Sequence, residues 1–198
     1  YTSRVMLEAL GIENYGINNV VGSIVAMSGI ITATMSQAIS RYLTFGLGEG
    51  NAEKLRVTFS TAVTTQMGLA VLVCLALETV GVWFLNFEAN IPDGRMEAAN
   101  WVLQCSIIGL FFGLISSPYS ALIIAHEHMG IYAYTSVAEV MLRLDICFVI
   151  MAYGGDRLIL LSILGVCVAL AMRLFFSWYC SKHFNEAHYS PRLFDKEM

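Results

Sequence analysis

Three charged residues lie near the middle of an otherwise apolar stretch, SVAEVMLRLDICFVIMAY, which covers residues 136–153. Glu139 and Arg143 are four residues apart, so a helix places them side by side. Asp145 lies two residues beyond Arg143, so the two side chains are separated by about 160° around a helix with 3.6 residues per turn. Arginine binds phosphate oxygens bidentately and stays protonated in apolar surroundings. The pattern therefore suggests an anion site, or alternatively a Glu139–Arg143 clasp that neutralises itself and holds two helices together.

A helix with these charges is expensive to expose to lipid. Its apolar residues contribute about −5 kcal/mol to membrane insertion, at roughly −0.3 to −0.6 kcal/mol each. The three charges cost roughly 2.5 to 3.5 kcal/mol each, which outweighs that gain. We therefore expect all three charged side chains to face protein or water, as they would if they lined a substrate path.

The composition indicates an integral membrane protein. The chain has 198 residues, of which 57% are hydrophobic and 13% are charged, whereas soluble domains carry about 25% charged residues. Residues 17–40, 57–77 and 98–125 contain no charge, and each stretch exceeds the ~18 residues typical of a spanning helix. No basic cluster suggests nucleic-acid binding, so no nucleic-acid partner is expected.

Five membrane-spanning helices are predicted, because backbone groups in lipid must be satisfied within the segment. Their ranges are residues 17–40, 57–87, 98–125, 129–153 and 158–181. The short connections favour antiparallel neighbours, so the fold class is an all-α integral membrane protein built as an antiparallel transmembrane helix bundle. Residues 1–16 lack an apolar core and are predicted to form the loop after an earlier helix, as in a fragment of a longer protein.

Lysine and arginine are unevenly distributed between the two ends of these predicted helices. One side collects Arg41, Lys54, Arg56, Lys182, Arg192 and Lys196. The other side collects Arg4, Arg95 and Arg157. The positive-inside rule therefore places the loop at residues 45–56, the link at 126–128 and the C-terminal tail in the cytoplasm.

The first span carries hydroxyl residues at every fourth position, namely Ser28, Thr32, Ser36 and Ser40. Such a stripe suits close helix packing, and it equally suits a water-filled cavity. Arg41 ends this span, either as a positive-inside anchor or as a cation that meets an anionic headgroup.

Pro118 interrupts the third span. It lacks the amide that would bond to the carbonyl of Leu114, which predicts a kink. Ser116 and Ser117 are expected to help satisfy that carbonyl. The kink is a candidate hinge for alternating access, and a static kink is the alternative.

Other chemistries have weaker signals. The five cysteines are scattered without a CxxC spacing, so neither a disulfide framework nor a zinc site is predicted. His126 and His128 flank Glu127, too few ligands for a metal site. No cofactor motif and no Ser-His-Asp order is present, so no cofactor is expected.

Three sequence features carry a resemblance to a known family. They are the LG-x-x-x-YG pattern in SRVMLEALGIENYG, the SRY at the start of SRYLTFGLGEGNAEKLR, and the PYSALIIAHE of SSPYSALIIAHEHMG. In this order and spacing the chain resembles the Wzx-type polysaccharide flippases, which export bacterial O-antigen and capsule. These belong to the superfamily of the lipid II flippases and the MATE multidrug exporters. The resemblance covers nearly the whole chain.

The resemblance implies two lobes of about six helices each. Residues 1–198 would supply most of the N-terminal lobe, with the first helix largely missing and the second lobe absent. The implied function is alternating-access transport of an undecaprenyl-pyrophosphate-linked oligosaccharide across the bacterial inner membrane, with membrane lipid as a further partner and no enzymatic activity. Arg143, Arg41 and Arg4 would face a hydrated cationic cavity, and Glu139 would hold Arg143 in the empty site.

Three other functions remain open. In a cation-coupled MATE-like drug exporter, Asp145 or Glu139 would bind the coupling proton or sodium ion. A membrane-embedded enzyme acting on lipid headgroups would rely on His126, Glu127 and His128. A scaffold subunit would not transport at all, and the central charges of residues 129–153 disfavour it.

Overall fold

The computed structural model of the protein describes residues 2–48, 52–87, 95–152 and 155–184. These ranges form five α-helices with no β-strand, which confirms the all-α class for the part of the chain described. The helices are α1 (Thr2–Gly48), α2 (Ala52–Phe87), α3 (Met96–Ala125), α4 (Met129–Ala152) and α5 (Arg157–His183).

Among the residues that the structure describes, three helices are long and apolar enough to cross a membrane. They are Glu53–Phe87 within α2, all of α3 and all of α5, with hydropathies of 2.2, 2.0 and 2.5 in their most apolar windows. These three coincide with predicted spans. In α4, every window of 18 residues contains the same three charges, so length and composition alone do not make it a span. The spans predicted at residues 17–40 and 129–153 stay predictions.

α1 differs from the prediction at its start. Residues 1–16 were predicted to be a loop, but residues 2–16 belong to helix α1, which is interrupted at Gly11, with φ 77° and ψ 166°. This backbone region is accessible essentially to glycine alone. The prediction was wrong because a single glycine can break a helix without a longer loop. α1 also continues past Ser40 to Gly48, where fully buried Leu43 packs into the core.

α3 is the helix around which the others pack. It contacts each of the other four helices and packs most extensively against α5. In its most apolar window 44% of the residues are buried, compared with 6% in α5. Most apolar residues of α5 are therefore only partly covered by the other helices.

Two apolar clusters hold the helices together, one toward each end of α3. The first cluster includes Leu43, Phe59, Leu122, Ile123 and Cys180. The second includes Val21, Leu85, Leu103, Ile150 and Leu158. Along α1, α3 and α5 the buried members of the two clusters are separated by a middle segment that belongs to neither. The polar cleft described below lies beside this middle segment and against the first cluster, whose members Ala121 and Phe176 line it.

Gly11→Ala is expected to destabilise the protein, because alanine is strained at a φ of 77°. We expect a cost of about 1–3 kcal/mol, measured as a lower midpoint of thermal unfolding in detergent. Gly16→Ala is the matched control: it lies in the same helix, and an added Cβ meets no atom within 4 Å. This control should stabilise α1 slightly, by up to about 1 kcal/mol. Shifts of the same sign and size would contradict the break at Gly11.

Gly81→Val is expected to loosen the contact between α2 and α3. A Cβ at Gly81 would lie 3.2 Å from Cδ1 of Leu103, which is fully buried and cannot move freely. Such overpacking costs about 1–3 kcal/mol. Gly68→Val serves as the control, since an added Cβ there meets nothing within 4 Å. The same thermal measurement should separate the two variants, and equal midpoints would show that the helix contact tolerates the added methyl groups.

Candidate functional site

A cleft of about 540 Å³ lies between α1, α3, α4 and α5. Most of its lining is small or polar. The polar residues are Ser36, Gln37, Ser40, Ser116, Ser117, Ser120, Tyr132, Ser136, Glu139 and Arg143. The helix bundle thus carries a polar surface beside the first apolar cluster.

The cleft exists because one face of α3 has small side chains. Gly109, Gly113, Ser117 and Ser120 line it, at positions i, i+4, i+8 and i+11 of the helix. Residues with this spacing share one helix face. None of them has a bulky side chain that would fill the space left between α3 and the flanking helices α1, α4 and α5, so a volume large enough for a ligand remains.

Serine hydroxyls connect α1 and α3 inside the cleft. The hydroxyls of Ser36 and Ser117 hydrogen-bond to each other. Ser116 donates to the carbonyl of Phe112 at 2.7 Å. These hydroxyls are therefore engaged elsewhere than at the carbonyl of Leu114, contrary to the prediction, because the helix geometry directs Ser116 one turn back onto its own i−4 carbonyl.

Pro118 is buried within α3, and α3 continues from Met96 to Ala125 on both sides of it. The proline therefore does not end the helix. Its proposed role as a hinge stays a prediction.

Glu139 and Arg143 form the predicted ion pair. Nη2 and Nε of Arg143 donate to the same carboxylate oxygen, Oε1 of Glu139, at 2.8 Å and 3.2 Å. Both residues lie on α4. The pair therefore does not hold two helices together, as one of the two interpretations had predicted. Both residues line the cleft. The side chain of Arg143 is 65% exposed and that of Glu139 is 39% exposed, so the guanidinium group is open to a ligand.

The other predicted site residues are placed differently. Asp145 is exposed and lies outside the lining of the cleft, since two residues of helix turn it away from Arg143. Arg41 lines a shallow depression of about 500 Å³ with Thr44 and Phe45. This depression adjoins the cleft, because Gln37 and Ser40 line both. The side chains of Arg4, Ser28 and Thr32 lie outside the described residues.

No protein-family model, curated protein or solved structure matches the chain. The flippase resemblance therefore stays a prediction.

Sequence reasoning missed Arg173, an arginine within the apolar helix α5. Its Cζ lies 4.4 Å from the centroid of the Tyr119 ring, a cation–π contact between α5 and α3. Its Nη1 is buried and has no hydrogen-bond partner among the described residues. The sequence contained a signal for this residue: Arg173 lies within a helix of 27 mostly apolar residues. Exposing it to lipid would cost as much free energy as exposing Arg143.

A second missed contact links two of the apolar helices. Nε2 of Gln104 on α3 donates to Oε1 of Glu78 on α2 at 2.6 Å. The hydrogen bond gives the half-buried Glu78 carboxylate a donor. A glutamine inside the uncharged stretch of residues 98–125 was the available signal for this partner.

The histidines at the α3–α4 link pack against the end of α5. The rings of His126 and Phe184 stack with centroids 4.1 Å apart. Nδ1 of His128 lies 3.1 Å from the hydroxyl of Tyr179. In the part of the chain that the structure describes, no group of three or more His, Cys, Asp or Glu could hold a metal ion. These histidines thus contribute to helix packing.

Ser136→Cys and Val137→Cys form a matched pair for testing whether the cleft is wet. Ser136 lines the cleft, whereas Val137 is 58% exposed on a different side of α4. In a background with the five native cysteines replaced by alanine, a membrane-impermeant thiol reagent should modify Ser136→Cys much faster in proteoliposomes, because the reactive thiolate forms in water. Equal labelling rates would show that the cleft offers no more water than the neighbouring surface.

Proposed function

We propose that the protein forms part of a transporter that moves an undecaprenyl-pyrophosphate-linked oligosaccharide across the bacterial inner membrane for surface polysaccharide biosynthesis. The observation that carries this proposal is the exposed Arg143 guanidinium in a serine-lined cleft among apolar helices. Intramembrane ionisable residues face protein or water and commonly mark substrate pathways.

Arg143 suits the pyrophosphate group of such a lipid. Its planar guanidinium can donate two parallel N–H groups to phosphate oxygens. It keeps its charge in apolar surroundings, where a lysine loses its proton more readily. Glu139 holds the side chain in the cleft when no substrate is bound.

The rest of the cleft suits a polar headgroup. Its volume of about 540 Å³ lies within the range of about 300–1,000 Å³ that is typical of small-molecule sites. Serine hydroxyls both donate and accept hydrogen bonds, so they can contact the hydroxyl groups of a sugar. The lipid tail would stay in the bilayer beside the outward-facing apolar surface of α5 during transport.

The exposed charges of α4 also support a two-lobe architecture. Arg143 and Asp145 are both exposed on a helix that carries exposed Val140, Met141 and Leu142. Charged side chains cannot face acyl chains without a large cost. We propose that all five helices span the membrane as an antiparallel bundle, and that a second lobe faces α4 across a hydrated cavity and provides alternating access.

Loss of Arg143 should strongly reduce transport. In a flippase-null bacterial strain complemented with the full-length gene that encodes this chain, Arg143→Ala should lower surface polysaccharide by about 10- to 100-fold, the equivalent of one charge-assisted hydrogen-bonded contact. Arg143→Lys should retain partial function, since it keeps the charge and loses the bidentate geometry.

Arg95→Ala is the matched control. Arg95 forms an ion pair with Asp156, and neither residue lines the cleft. It should leave surface polysaccharide near the wild-type level at equal membrane expression. Wild-type polysaccharide in the Arg143→Ala strain would refute the proposed site. Drug efflux without any effect on polysaccharide would instead favour a cation-coupled exporter.

A further inference from the structure

Gln66 lies near the middle of α2 and is fully buried, with 0% of its surface exposed. Its amide carries a donor, Nε2, and an acceptor, Oε1, and neither atom has a hydrogen-bond partner among the described residues. Burying an amide without partners is costly, so buried amides in proteins are satisfied by other protein groups or by bound water. Gln66 therefore marks a position where a further polar group is needed.

A second polar group that lacks its usual partner lies on α3. Pro118 has no amide to donate to the carbonyl of Leu114, and Leu114 is only 4% exposed to solvent. The hydroxyls of Ser116 and Ser120 donate to other carbonyls, and that of Ser117 is bonded to a serine of α1. The nearby hydroxyls are thus engaged elsewhere, and the Leu114 carbonyl lacks the donor that a helix normally supplies.

The packing of α2 against α3 brings Gln66 and Leu114 to the same level. Two contacts fix the antiparallel register of these helices: Phe59 with Tyr119, at 5.3 Å between ring centroids, and Sγ of Cys74 with the carbonyl oxygen of Ile107, at 3.8 Å. Gln66 lies about midway along α2 between these contacts, and Leu114 lies about midway along α3. Because both helices rise by about 1.5 Å per residue, the two positions face each other across the interface.

Small side chains leave room beside Gln66. Ala62 and Ala70 lie four residues before and after it, on the same face of α2, and both are buried. Ala70 and Leu114 are buried but belong to neither apolar cluster. A buried water needs a polar site with two to four partners. The Gln66 amide offers two and the Leu114 carbonyl offers a third.

We propose that Gln66 and the Leu114 carbonyl hold bound water between α2 and α3. Nε2 of Gln66 donates to a water oxygen, and this water donates to the carbonyl of Leu114, while a second water donates to Oε1. The bound water replaces the backbone hydrogen bond that Pro118 removes, and it joins α2 to α3 at the proline. This site is independent of what the cleft binds, so it stands or falls separately from the proposed transport function.

Gln66→Leu tests the proposal through the sign of its effect on the thermal stability of the full chain in detergent. If the amide holds water for the Leu114 carbonyl, this substitution should lower the unfolding midpoint by about 2–4 °C, the shift for one lost hydrogen bond in a chain of this size. An unchanged or raised midpoint would overturn the proposal, because removing a buried amide that has no partner stabilises a protein.

Pro118→Ala provides the matched background, because it restores a backbone amide that can bond to the Leu114 carbonyl directly. In this background Gln66→Leu should no longer lower the midpoint, so the two substitutions should be non-additive. An equal loss in both backgrounds would show that Gln66 acts without the Leu114 carbonyl, and the proposed site would be wrong.

Hydroxyl-radical labelling by pulsed X-ray irradiation detects the water in the wild-type protein, since radicals formed from bound water modify the side chains beside it. Leu114 should be modified faster than Leu122, which is fully buried in the first apolar cluster on the same helix. Gln66→Leu should slow the modification of Leu114, whereas radicals from the neighbouring cleft would be unaffected. Equal rates for the two leucines in the wild type, or a Leu114 rate that Gln66→Leu leaves unchanged, would rule out the bound water.

Discussion

The cost of placing a charge among apolar helices governs this structure. α4 carries Glu139, Arg143 and Asp145 within 24 residues. The insertion free energy of its apolar residues does not offset the cost of moving these three charges into lipid. The helix meets this constraint by pairing two of the charges across one turn and by turning the pair toward a cleft. Because the pair is partly exposed, the positively charged guanidinium of Arg143 remains accessible to a ligand.

The cleft depends on how α3 distributes side-chain size. Large buried residues such as Leu103 and Leu122 lie toward its two ends, where they join separate apolar clusters. Glycine and serine occupy the face between them, including Gly113 and Ser117. One helix thereby supplies the packing that holds the bundle together and the open volume where α4 presents its ion pair. A change in the central face of α3 would therefore alter the site with little loss of either cluster.

Two arginines inside apolar helices are stabilised in different ways. Arg143 has a carboxylate partner on its own helix and remains mostly exposed. Arg173 lies over the ring of buried Tyr119 on a neighbouring helix, where the electron-rich ring face replaces a counterion. The first arrangement leaves a cation that can change partners, and the second joins α5 to α3. This contrast is the reason to assign ligand binding to Arg143.

For the described part of the chain, the sequence by itself determined the local features: the all-α class, three helices able to span a membrane, and the pairing of Glu139 with Arg143. All of these follow from hydropathy and from helical spacing, which depend only on neighbours along the chain. The tertiary structure decided which surfaces meet. It brought Ser36 onto Ser117, left Asp145 outside the cleft and placed Arg173 over Tyr119, because contacts between helices depend on their relative rotation, which no short stretch of sequence specifies.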